Sequence, residues 1–573
     1  MAAEARHGTI GPVNTAPGFV DLYTPKLVTI LREGYGLAGL RADAVAGLTV
    51  AIVALPLSMA IAIASGATPA QGLYTAIFGG FVVSALGGSR FQIGGPAGAF
   101  IVLVAATIAQ HGMAGTILAV FLSGFMLIAA GFLRLGTYVK FIPYPVTVGF
   151  TAGIAVIIFA SQIKDLLGLV LPGPEPAAIL AKLPVLWAAL PTFDVATIAL
   201  ALATIALAEG CKRWRPQWPG LLIAVTLAAA ATAAFDLRVE TIGTRFGGIP
   251  STIPAPELPD LAWGKILAVL PNALAFALLG AIESLLSAVV ADGMTGRRHR
   301  SNCELVGQGF ANVASACFGG ICVTGTIART ATNVRAGAHG PVAGMLHAGF
   351  LLGFVLLAAP LAAHIPLASL AGVLALVAWN MVEKRAFATL VRATPGDAAV
   401  LLSTFLLTVF RDLIEAIVVG FALGSALFIH RMSKTTAVAA TPLVAEDRAD
   451  GPADERIPYD ERAANAPDIV VYRIVGAFFF GAAASIGAVL ERIADTHRAL
   501  VVDFAAVPFV DATAAHTIED LARQAARRGV KLVLTGASPA VARDLRAHGI
   551  GGEAVAWADN VDAAIVLLRA RHP

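Results

Sequence analysis

The chain has 573 residues, of which 57% are hydrophobic and only 13% are charged. With a mean hydropathy of +0.79, this composition excludes an ordinary soluble globular protein, in which about a quarter of the residues are charged. The formal net charge of +3 is small for this length and argues against a nucleic-acid-binding protein, which would carry a strongly basic surface.

The first 35 residues are polar and rich in Gly and Pro, and they contain no apolar stretch of the kind found in a secretory signal. We therefore expect no cleaved leader here. Residues 1–40 are predicted to form a cytoplasmic N-terminal segment.

Long apolar blocks begin after this segment, and residues 44–89 contain no Lys, Arg, Asp or Glu. That length suffices for two helices of about 20 residues, each crossing about 30 Å of hydrocarbon. Breaks in the apolar pattern predict seven blocks, a polar Pro-rich segment at 247–260, and seven more blocks. The predicted blocks lie near 44–65, 70–87, 96–110, 115–133, 146–163, 195–209, 219–235, 265–291, 303–318, 325–337, 341–363, 366–382, 396–410 and 413–430.

Basic residues test this count, because Lys and Arg collect in cytoplasmic loops. They precede the first block and follow the second, fourth, sixth, eighth, twelfth and last blocks, whereas several odd-numbered exits have none. The residues concerned are Lys26, Arg32, Arg41, Arg90, Arg134, Lys140, Lys212, Arg213, Arg215, Arg297, Arg298, Arg300, Lys384, Arg385, Arg431 and Lys434. We predict a multi-pass protein of the cell membrane with both termini in the cytoplasm.

The third block of each group is short and begins at a run of Gly and Pro. The first break (residues 91–96) precedes a helix predicted from Ala97, and the second break (residues 319–325) precedes one predicted from Thr326. Lipid cannot pair the free backbone groups of such breaks, so the breaks must face protein or a wet cavity. Matched interruptions in two halves favour a transporter built as a 7+7 inverted repeat with its site at the midplane.

Two half-helices that begin near the bilayer centre would direct free N–H groups and two positive dipole ends into one cavity, which favours an anion. The alternative is a pair of kinked helices with only a packing role. Arg329 lies in the first turns of the second half-helix and would add a positive charge. It is a functional candidate, although it could also serve as the counter-ion of a buried carboxylate.

Glu283 stands alone within an apolar run. A carboxyl group there can be neutral or charged at moderate cost, which suits proton coupling. Ser287 lies one helical turn later and could hydrogen-bond substrate, water or an ion beside that carboxyl. The alternative for Glu283 is an ion pair with Arg329.

The sequence carries no signal for catalysis. The four cysteines lack CxxC spacing, the histidines lack HExxH spacing, and no GxxxxGK[ST] loop is present. We predict no catalytic residue, no metal site, no cofactor and no enzymatic activity.

A polar, charged linker is predicted at 433–466, followed by a soluble domain at 467–573. Strands are predicted at 468–475, 499–504 and 531–535, and helices at 514–528 and 538–547. This alternation indicates a small α/β domain.

The chain resembles the sulfate permease (SulP) family of anion transporters, which is related to vertebrate anion exchangers and prestin. The resemblance runs from about Arg41 to the C-terminus. It is carried by DAVAGLTV at 43–50, ALPLSMA at 54–60, GGPAGA at 94–99, ESLLSAVVAD at 283–292, and the stretch 302–344 with ELVGQG at 304–309 and RTATN at 329–333.

The resemblance implies core and gate domains in a 7+7 fold over 41–432, elevator-like alternating access, and homodimers. The C-terminal domain resembles a STAS domain, which implies a cytoplasmic partner. In phosphorylated relatives of that domain a serine follows the aspartate, whereas Ala512 follows Asp511 here. A phosphorylation switch is therefore not predicted on that position, although Thr513 is close by.

Two departures from the family bear on cargo and coupling. Leu57 follows Pro56, where many members have Gln. Ile327 aligns with a Thr of sodium-coupled members, and those members have Asp in place of Glu283. Because an apolar side chain cannot bind Na⁺, we expect protons to be the coupling ion.

The sequence thus predicts a secondary active transporter of sulfate or a similar oxyanion, working by proton symport or anion exchange. C4-dicarboxylate or bicarbonate cargo remains open, as does an anion channel, a membrane motor, or a STAS-mediated signalling protein. The predicted anion site comprises Ser58, Ala97, Gly98, Thr326, Ile327, Ala328 and Arg329, and the predicted proton-coupling residues are Glu283 and Ser287.

Overall fold

The computed structural model describes most of the chain and divides it into two compact units, Met1–Phe421 and Ala422–Pro573. The described residues are 18–138, 143–173, 175–176, 178–215, 218–411, 413–435, 437–440, 469–479, 483, 498–551 and 555–570.

Helices dominate the chain up to residue 435. The first group is α1 (Phe19–Tyr23), α2 (Lys26–Gly34), α3 (Leu37–Ala64), α4 (Pro69–Tyr74), α5 (Gly80–Leu86), α6 (Ile101–Phe132), α7 (Tyr144–Leu167), α8 (Ile179–Ala189), α9 (Val195–Trp214) and α10 (Gly220–Ala234). The second group is α11 (Ile242–Phe246), α12 (Trp263–Thr295), α13 (Ser301–Cys317), α14 (Ile327–Arg335), α15 (Val342–Ala362), α16 (Leu367–Met381), α17 (Lys384–Ala393), α18 (Pro395–Phe410) and α19 (Leu413–Thr435).

Nine helical stretches in the described part of the chain are long and apolar enough to cross a membrane, and three shorter ones are also apolar. Every apolar block predicted from the sequence is helical. The predicted helical membrane region is therefore confirmed, whereas the inverted repeat relating its two halves stays a prediction. Helices α8 and α17 were not predicted, because they are short and lie between the blocks.

Helix α6 runs through both the third and the fourth predicted blocks, with a kink between them. The blocks predicted at 96–110 and 115–133 leave a break between them, and α6 departs from helical geometry within this break, at Gly112, where φ is 68°. Glycine adopts this left-handed conformation without a side-chain clash. A single glycine therefore makes the bend between the two predicted blocks.

Close helix contacts depend on glycine. A Cβ atom on Gly124 of α6 would lie 2.7 Å from the Gly309 carbonyl oxygen of α13, and one on Gly309 would lie 2.5 Å from the Gly124 carbonyl oxygen. Small residues let helix backbones approach in membrane proteins, where packing rather than hydrophobic exclusion drives association. Helices α6 and α13 are therefore held together backbone to backbone.

The second unit contains a five-stranded sheet in the order β3-β4-β5-β6-β7. Strands β4 to β7 are parallel, and β3 pairs with β4 in the antiparallel sense. The elements are β3 (Ala437–Ala440), β4 (Ile469–Val475), β5 (Ala499–Ala506), α20 (Ala512–Arg528), β6 (Lys531–Thr535), α21 (Pro539–Ala547), β7 (Val555–Ala558) and α22 (Val561–Ala570). The predicted α/β domain is confirmed, with β3, β7 and α22 as additions.

The predicted linker at 433–466 differs from the structure at its start. Helix α19 continues to Thr435, and residues 437–440 form strand β3 of the sheet. The stretch is rich in Ala and Thr and shows no clear apolar periodicity, so the sequence analysis assigned it to the linker. Residues 441–466 of the predicted linker, and the first two residues of the predicted domain at 467–573, lie outside the described residues.

We predict that Gly309→Ala will destabilise the first unit by about 1–3 kcal/mol, because the added methyl group has no room against α6. Thermal unfolding of the detergent-solubilised protein measures the effect as a lower melting temperature. Gly353→Ala on α15 is the matched control, since a Cβ there meets no atom within 4 Å. Equal melting temperatures for the two variants would contradict the prediction.

Candidate anion-binding site

The two breaks predicted from the sequence pair with each other. Strand β1 (Gly94–Gly95) lies in the first break and strand β2 (Thr324–Gly325) in the second, and they are antiparallel, with Gly94 opposite Gly325. The Thr326 amide extends the pairing by donating to the Ile93 carbonyl at 3.1 Å. Because the strands run antiparallel, the helices that follow them leave in opposite directions, as the half-helix prediction requires.

Each helix begins directly after its strand. A 3₁₀ turn (Gly98–Phe100) leads into α6, and α14 begins at Ile327. The first amides of a helix have no intrahelical acceptor and carry the positive end of its dipole. The Thr326 hydroxyl, which immediately precedes α14, is buried and has no hydrogen-bond partner among the described residues. An unused hydroxyl therefore lies at the start of α14, beside the positive end of its dipole.

Arg329 ties the second half-helix to two other segments. Its side chain is buried, and its NH2 group donates to the Ser58 hydroxyl of α3 at 3.2 Å and to the Pro96 carbonyl at 3.0 Å. Its Nε and NH1 groups have no partner among the described residues. The partners that it does have are neutral, so the guanidinium charge is not cancelled within the described structure.

The glycine of β1 makes room for this guanidinium. A Cβ atom on Gly95 would lie 1.8 Å from the NH1 group of Arg329. Any side chain at this position would displace the cation from the strand pair. The two glycines of the first break thus allow the chain to bend and also leave room for the Arg329 side chain.

The other predicted anion-site residues surround the two helix starts. Ala97 is buried, whereas Ile327 and Ala328 are exposed on the first turn of α14. Gly98 faces other helices: a Cβ there would lie 2.9 Å from Ile158 of α7 and 3.8 Å from Met381 of α16. The structure brings together residues that are more than 200 positions apart in the sequence.

Glu283 lies on α12, which packs against α14 and β2. It is partly exposed, and the described residues offer it neither a hydrogen bond nor an ion pair. The alternative in which Glu283 is the ion-pair partner of Arg329 is therefore not what the structure contains. The carboxyl group is left to interact with solvent or with a mobile ion.

Ser287 makes a hydrogen bond that the sequence alone does not predict. Its hydroxyl is buried and donates to Thr330 at 3.0 Å, and the Thr330 hydroxyl accepts from the Ile93 amide at 3.2 Å. Ser287 and Glu283 are on one face of α12, but this hydrogen bond directs the hydroxyl to α14 and the first break. This hydrogen bond braces α12 against α14, and the role of Ser287 beside Glu283 in proton coupling stays a prediction.

Sequence reasoning missed the buried carboxyl group of Glu304. One carboxyl oxygen accepts from the Gln92 amide group at 2.8 Å, and the other accepts from the backbone amide of Ser89 at 2.9 Å. Gln92 also donates to the Ser284 hydroxyl at 2.6 Å. An acidic residue inside a predicted span was a usable signal, but it entered the sequence analysis only as part of a family motif.

Polar side chains from neighbouring helices also hydrogen-bond the backbone of both breaks. The Asn312 side chain accepts from the Val323 amide at 3.1 Å and donates to the Val323 carbonyl at 2.9 Å. The Thr75 hydroxyl accepts from the Ile321 amide at 2.8 Å. On the first break, the Asn333 side chain donates to the Phe91 carbonyl at 2.9 Å. These contacts hold both non-helical segments in place behind the helix starts.

We predict that Asn312→Leu will destabilise the protein by about 1–3 kcal/mol, because it leaves the Val323 amide buried without a partner. Anion affinity should also fall, since the second break positions Arg329. Thermal unfolding and anion binding to purified protein measure the two effects. Asn272→Leu is the control, because Asn272 is only partly buried and, among the described residues, bonds the side chains of Thr107 and Gln110 rather than a break. An unchanged melting temperature for Asn312→Leu would refute the bracing role.

Comparison with known proteins agrees with these features. The Sulfate permease family matches residues 40–404, and the STAS domain matches residues 462–564. The "Putative sulfate transporter YvdB" of Bacillus subtilis is 39% identical over 508 residues, which cover 88% of this chain and 93% of the relative. The "Bicarbonate transporter BicA" of Picosynechococcus is 32% identical over 518 residues, covering 88% of this chain and 90% of the relative.

Two solved structures are similar. The transmembrane domain of a cyanobacterial bicarbonate transporter BicA is 33% identical with a TM-score of 0.59, covering 67% of this chain and 98% of that one. The murine Solute Carrier 26 family member A9 anion transporter, in the inward-facing state, has a TM-score of 0.80 at 16% identity. It covers 98% of this chain and 97% of that one, and at this identity the likeness concerns the fold alone.

Proposed function

The chain belongs to the Sulfate permease family, and we propose that it is a secondary active transporter of small anions with sulfate or a similar oxyanion as its cargo. The observation that carries the proposal is the pair of opposed helix starts with Arg329 beside them. This cation bonds only neutral groups among the described residues. An anion placed there would meet two dipole ends, free amides and an uncompensated guanidinium.

For the cargo, the comparisons favour a specific alternative to sulfate. Relatives named as bicarbonate transporters cover 88% of this chain at 32–33% identity, so bicarbonate is the second candidate. A C4-dicarboxylate is the third, because helix amides recognise charge more than shape. Uptake of labelled sulfate, bicarbonate and succinate by purified protein in liposomes ranks the three. Competition by an excess of each unlabelled anion identifies the preferred cargo.

Coupling is proposed to use protons at Glu283. This carboxyl group has neither a hydrogen bond nor an ion pair within the described residues, and so it is free to exchange a proton. Ile327 supplies no oxygen ligand on the first turn of α14, which disfavours Na⁺. Imposed pH and Na⁺ gradients across the liposome membrane separate the two possibilities, since only the coupling ion accelerates uptake into an otherwise identical vesicle.

The remaining features follow from the family. We place the protein in the cell membrane as a homodimer with cytoplasmic termini, an elevator-like mechanism, and a STAS domain at 467–573 that binds a cytoplasmic partner. Crosslinking in native membranes tests the dimer. Labelling of single cysteines at the chain ends tests the sidedness of the termini.

An anion channel or a membrane motor is the competing class of function. A channel would pass anions far faster than a carrier and would show no dependence on a counter-substrate. A protein that only signals through its STAS domain would keep its function after Arg329 is neutralised. Electrical recording and counter-flow in the same liposomes distinguish these cases.

We predict that Arg329→Ala will weaken anion binding at least about thirtyfold, equivalent to about 2 kcal/mol, because it removes a buried cation from the site. Binding of labelled anion to purified protein is the measurement. Arg335→Ala is the matched control, because Arg335 lies on the same helix with its side chain exposed. Wild-type affinity in a well-folded Arg329→Ala protein would overturn the proposed site.

We predict that Glu283→Gln will keep anion binding but lose the stimulation of uptake by an inward proton gradient. The amide imitates the protonated carboxyl group, removes its repulsion of the anion, and cannot release a proton. Glu257→Gln, in the segment before α12, is the control and should respond to the gradient as the wild type does. Full proton-driven accumulation by Glu283→Gln, or a wild type that follows Na⁺ and ignores pH, would contradict the coupling proposal.

A further inference from the structure

The start of α7, the ends of α9 and α16, and helix α17 meet at one surface of the first unit. The Tyr144 hydroxyl of α7 donates to the carboxyl group of Glu383, which immediately precedes α17, at 3.1 Å. The Lys212 ammonium group near the end of α9 donates to the Asn380 side chain near the end of α16 at 3.4 Å. These contacts place residues from four helices side by side, and none of the residues belongs to the proposed anion site.

Six basic residues gather here, at the end of α9 and along α17, and the side chain of each is exposed. They form what we call the basic surface: Lys212, Arg213, Arg215, Lys384, Arg385 and Arg392. The proposed transport mechanism uses none of them.

The carboxyl groups nearby do not neutralise the basic surface. Glu209 forms an ion pair with Lys212 at 3.3 Å, and Glu383 accepts from the tyrosine of α7. Asp397, at the start of α18, accepts from the Thr394 hydroxyl at 2.8 Å. Within the described part of the chain, Lys212 is the one member of the basic surface that pairs with a carboxylate. Six cations thus face three carboxyl groups, and the surface keeps a net positive charge.

Exposed aromatic side chains lie among these cations. Trp214 is between the two arginines at the end of α9, and Trp218 follows shortly after them. The Trp379 ring lies beneath Lys384, whose ammonium nitrogen is 3.3 Å from the ring centroid, and Tyr144 is also exposed. Trp and Tyr are enriched where the hydrocarbon of a membrane meets its headgroups. The mixture of aromatic and basic side chains therefore fits a membrane–water interface.

Helix α17 has two different faces and contains no fully buried residue. Phe387 and Leu390 are half-buried, and the Phe387 ring packs edge-on against Phe405 of α18, with the ring centroids 5.6 Å apart. Arg385 and Arg392 lie about two turns apart on the opposite side of the helix. A short helix with one apolar and one basic face is typical of a segment that lies in the plane of the membrane interface.

The predicted orientation places the basic surface on the cytoplasmic side, because its residues follow the sixth and twelfth apolar blocks. The cytoplasmic leaflet carries anionic lipids, which attract Lys and Arg next to the membrane. A guanidinium group can bind a phosphate through two parallel hydrogen bonds. We propose that the basic surface binds the headgroups of anionic phospholipids, with Trp214 and Trp379 beside them in the interface. This inference concerns the membrane rather than the cargo, and so it does not rest on the proposed function.

The test measures which lipid lies next to the basic surface. Full-length protein is placed in vesicles of phosphatidylcholine and phosphatidylglycerol, with bromine on the acyl chains of one lipid or the other. Bromine quenches a tryptophan that the chain contacts, so the two quenching curves give the local share of each lipid. A variant that keeps Trp379, which is 65% exposed, and has Phe at the other five tryptophans reports on the basic surface.

We expect the share of phosphatidylglycerol at Trp379 to be at least about threefold its bulk share, since each nearby cation adds to the attraction. A variant that keeps Trp187 alone is the control for position. Trp187 is 77% exposed on α8, outside the basic surface, and the lipid share there should equal the bulk share. An equal share of phosphatidylglycerol at the two tryptophans would overturn the proposal.

Removing charge from the basic surface should remove the enrichment. In the variant that keeps Trp379, four exposed arginines are changed together, as Arg213→Gln, Arg215→Gln, Arg385→Gln and Arg392→Gln. The share of phosphatidylglycerol should fall to near the bulk value. Because these side chains are exposed, the melting temperature should not change, and thermal unfolding checks this.

A matched control removes the same charge from exposed arginines elsewhere, as Arg238→Gln, Arg298→Gln, Arg527→Gln and Arg543→Gln. It should keep the enrichment, and an equal loss in the two variants would refute a local surface. Lysine at the four positions of the basic surface should restore most of the enrichment. A lysine version that stays at the bulk share would contradict charge as the cause.

Two further conditions identify the occupant. Raising the salt from about 0.1 M to about 1 M should weaken the enrichment, because the Debye length shortens from about 10 Å to about 3 Å. Glycerol phosphate, which has a phosphate group but no acyl chains, should not displace the lipid. Displacement would assign the surface to a soluble anion, and absence of enrichment under all conditions would leave it to an acidic protein segment. Either result would overturn the proposal.

Discussion

The structure depends on the need to pair the backbone polar groups of two non-helical segments within an apolar helical region. Lipid offers no hydrogen bonds, so protein groups must supply all of them. Strands β1 and β2 pair with each other, and side chains from neighbouring helices pair much of what remains. Asn312 and Thr75 serve the second break, while Asn333 and Thr330 serve the first. These contacts explain why polar residues recur inside helices that are otherwise apolar.

The same pairing leaves a small set of donors unused, and they lie in one place. The Thr326 hydroxyl and two groups of Arg329 have no partner in the described parts of the chain, and Thr326 and Arg329 both lie at the start of α14. Arg329 is held by the Ser58 hydroxyl and the Pro96 carbonyl rather than by a carboxylate. Neutral acceptors fix the position of the guanidinium without cancelling its charge, whereas a carboxylate would have lowered its attraction for an anion. The site is therefore rigid and electrostatically unsatisfied at the same time.

Glycine connects the packing of the helices with the chemistry of the site. Gly95 leaves space for the Arg329 guanidinium, and Gly325 leaves space for the Gln92 side chain, since a Cβ there would lie 1.9 Å from its amide nitrogen. Gln92 is in turn fixed by the buried carboxyl group of Glu304. A side chain at either glycine would disturb the strand pair and the cation together. The same glycines thus allow the chain to bend and allow the guanidinium of Arg329 to lie beside the strand pair.

The sequence by itself determined the features that depend on local composition. The lengths of the apolar blocks predicted the helices, and the runs of Gly and Pro predicted the two breaks. Arg329 and Glu283 were identified because each is a charged residue within an apolar block. Tertiary structure alone decided which polar groups meet. Ser287 bonds Thr330 on α14, and Glu304 serves a break more than 200 residues before it in the sequence. Hydrogen-bond partners depend on which helices become neighbours and on the rotation of each helix, and residue spacing along one segment does not contain that information.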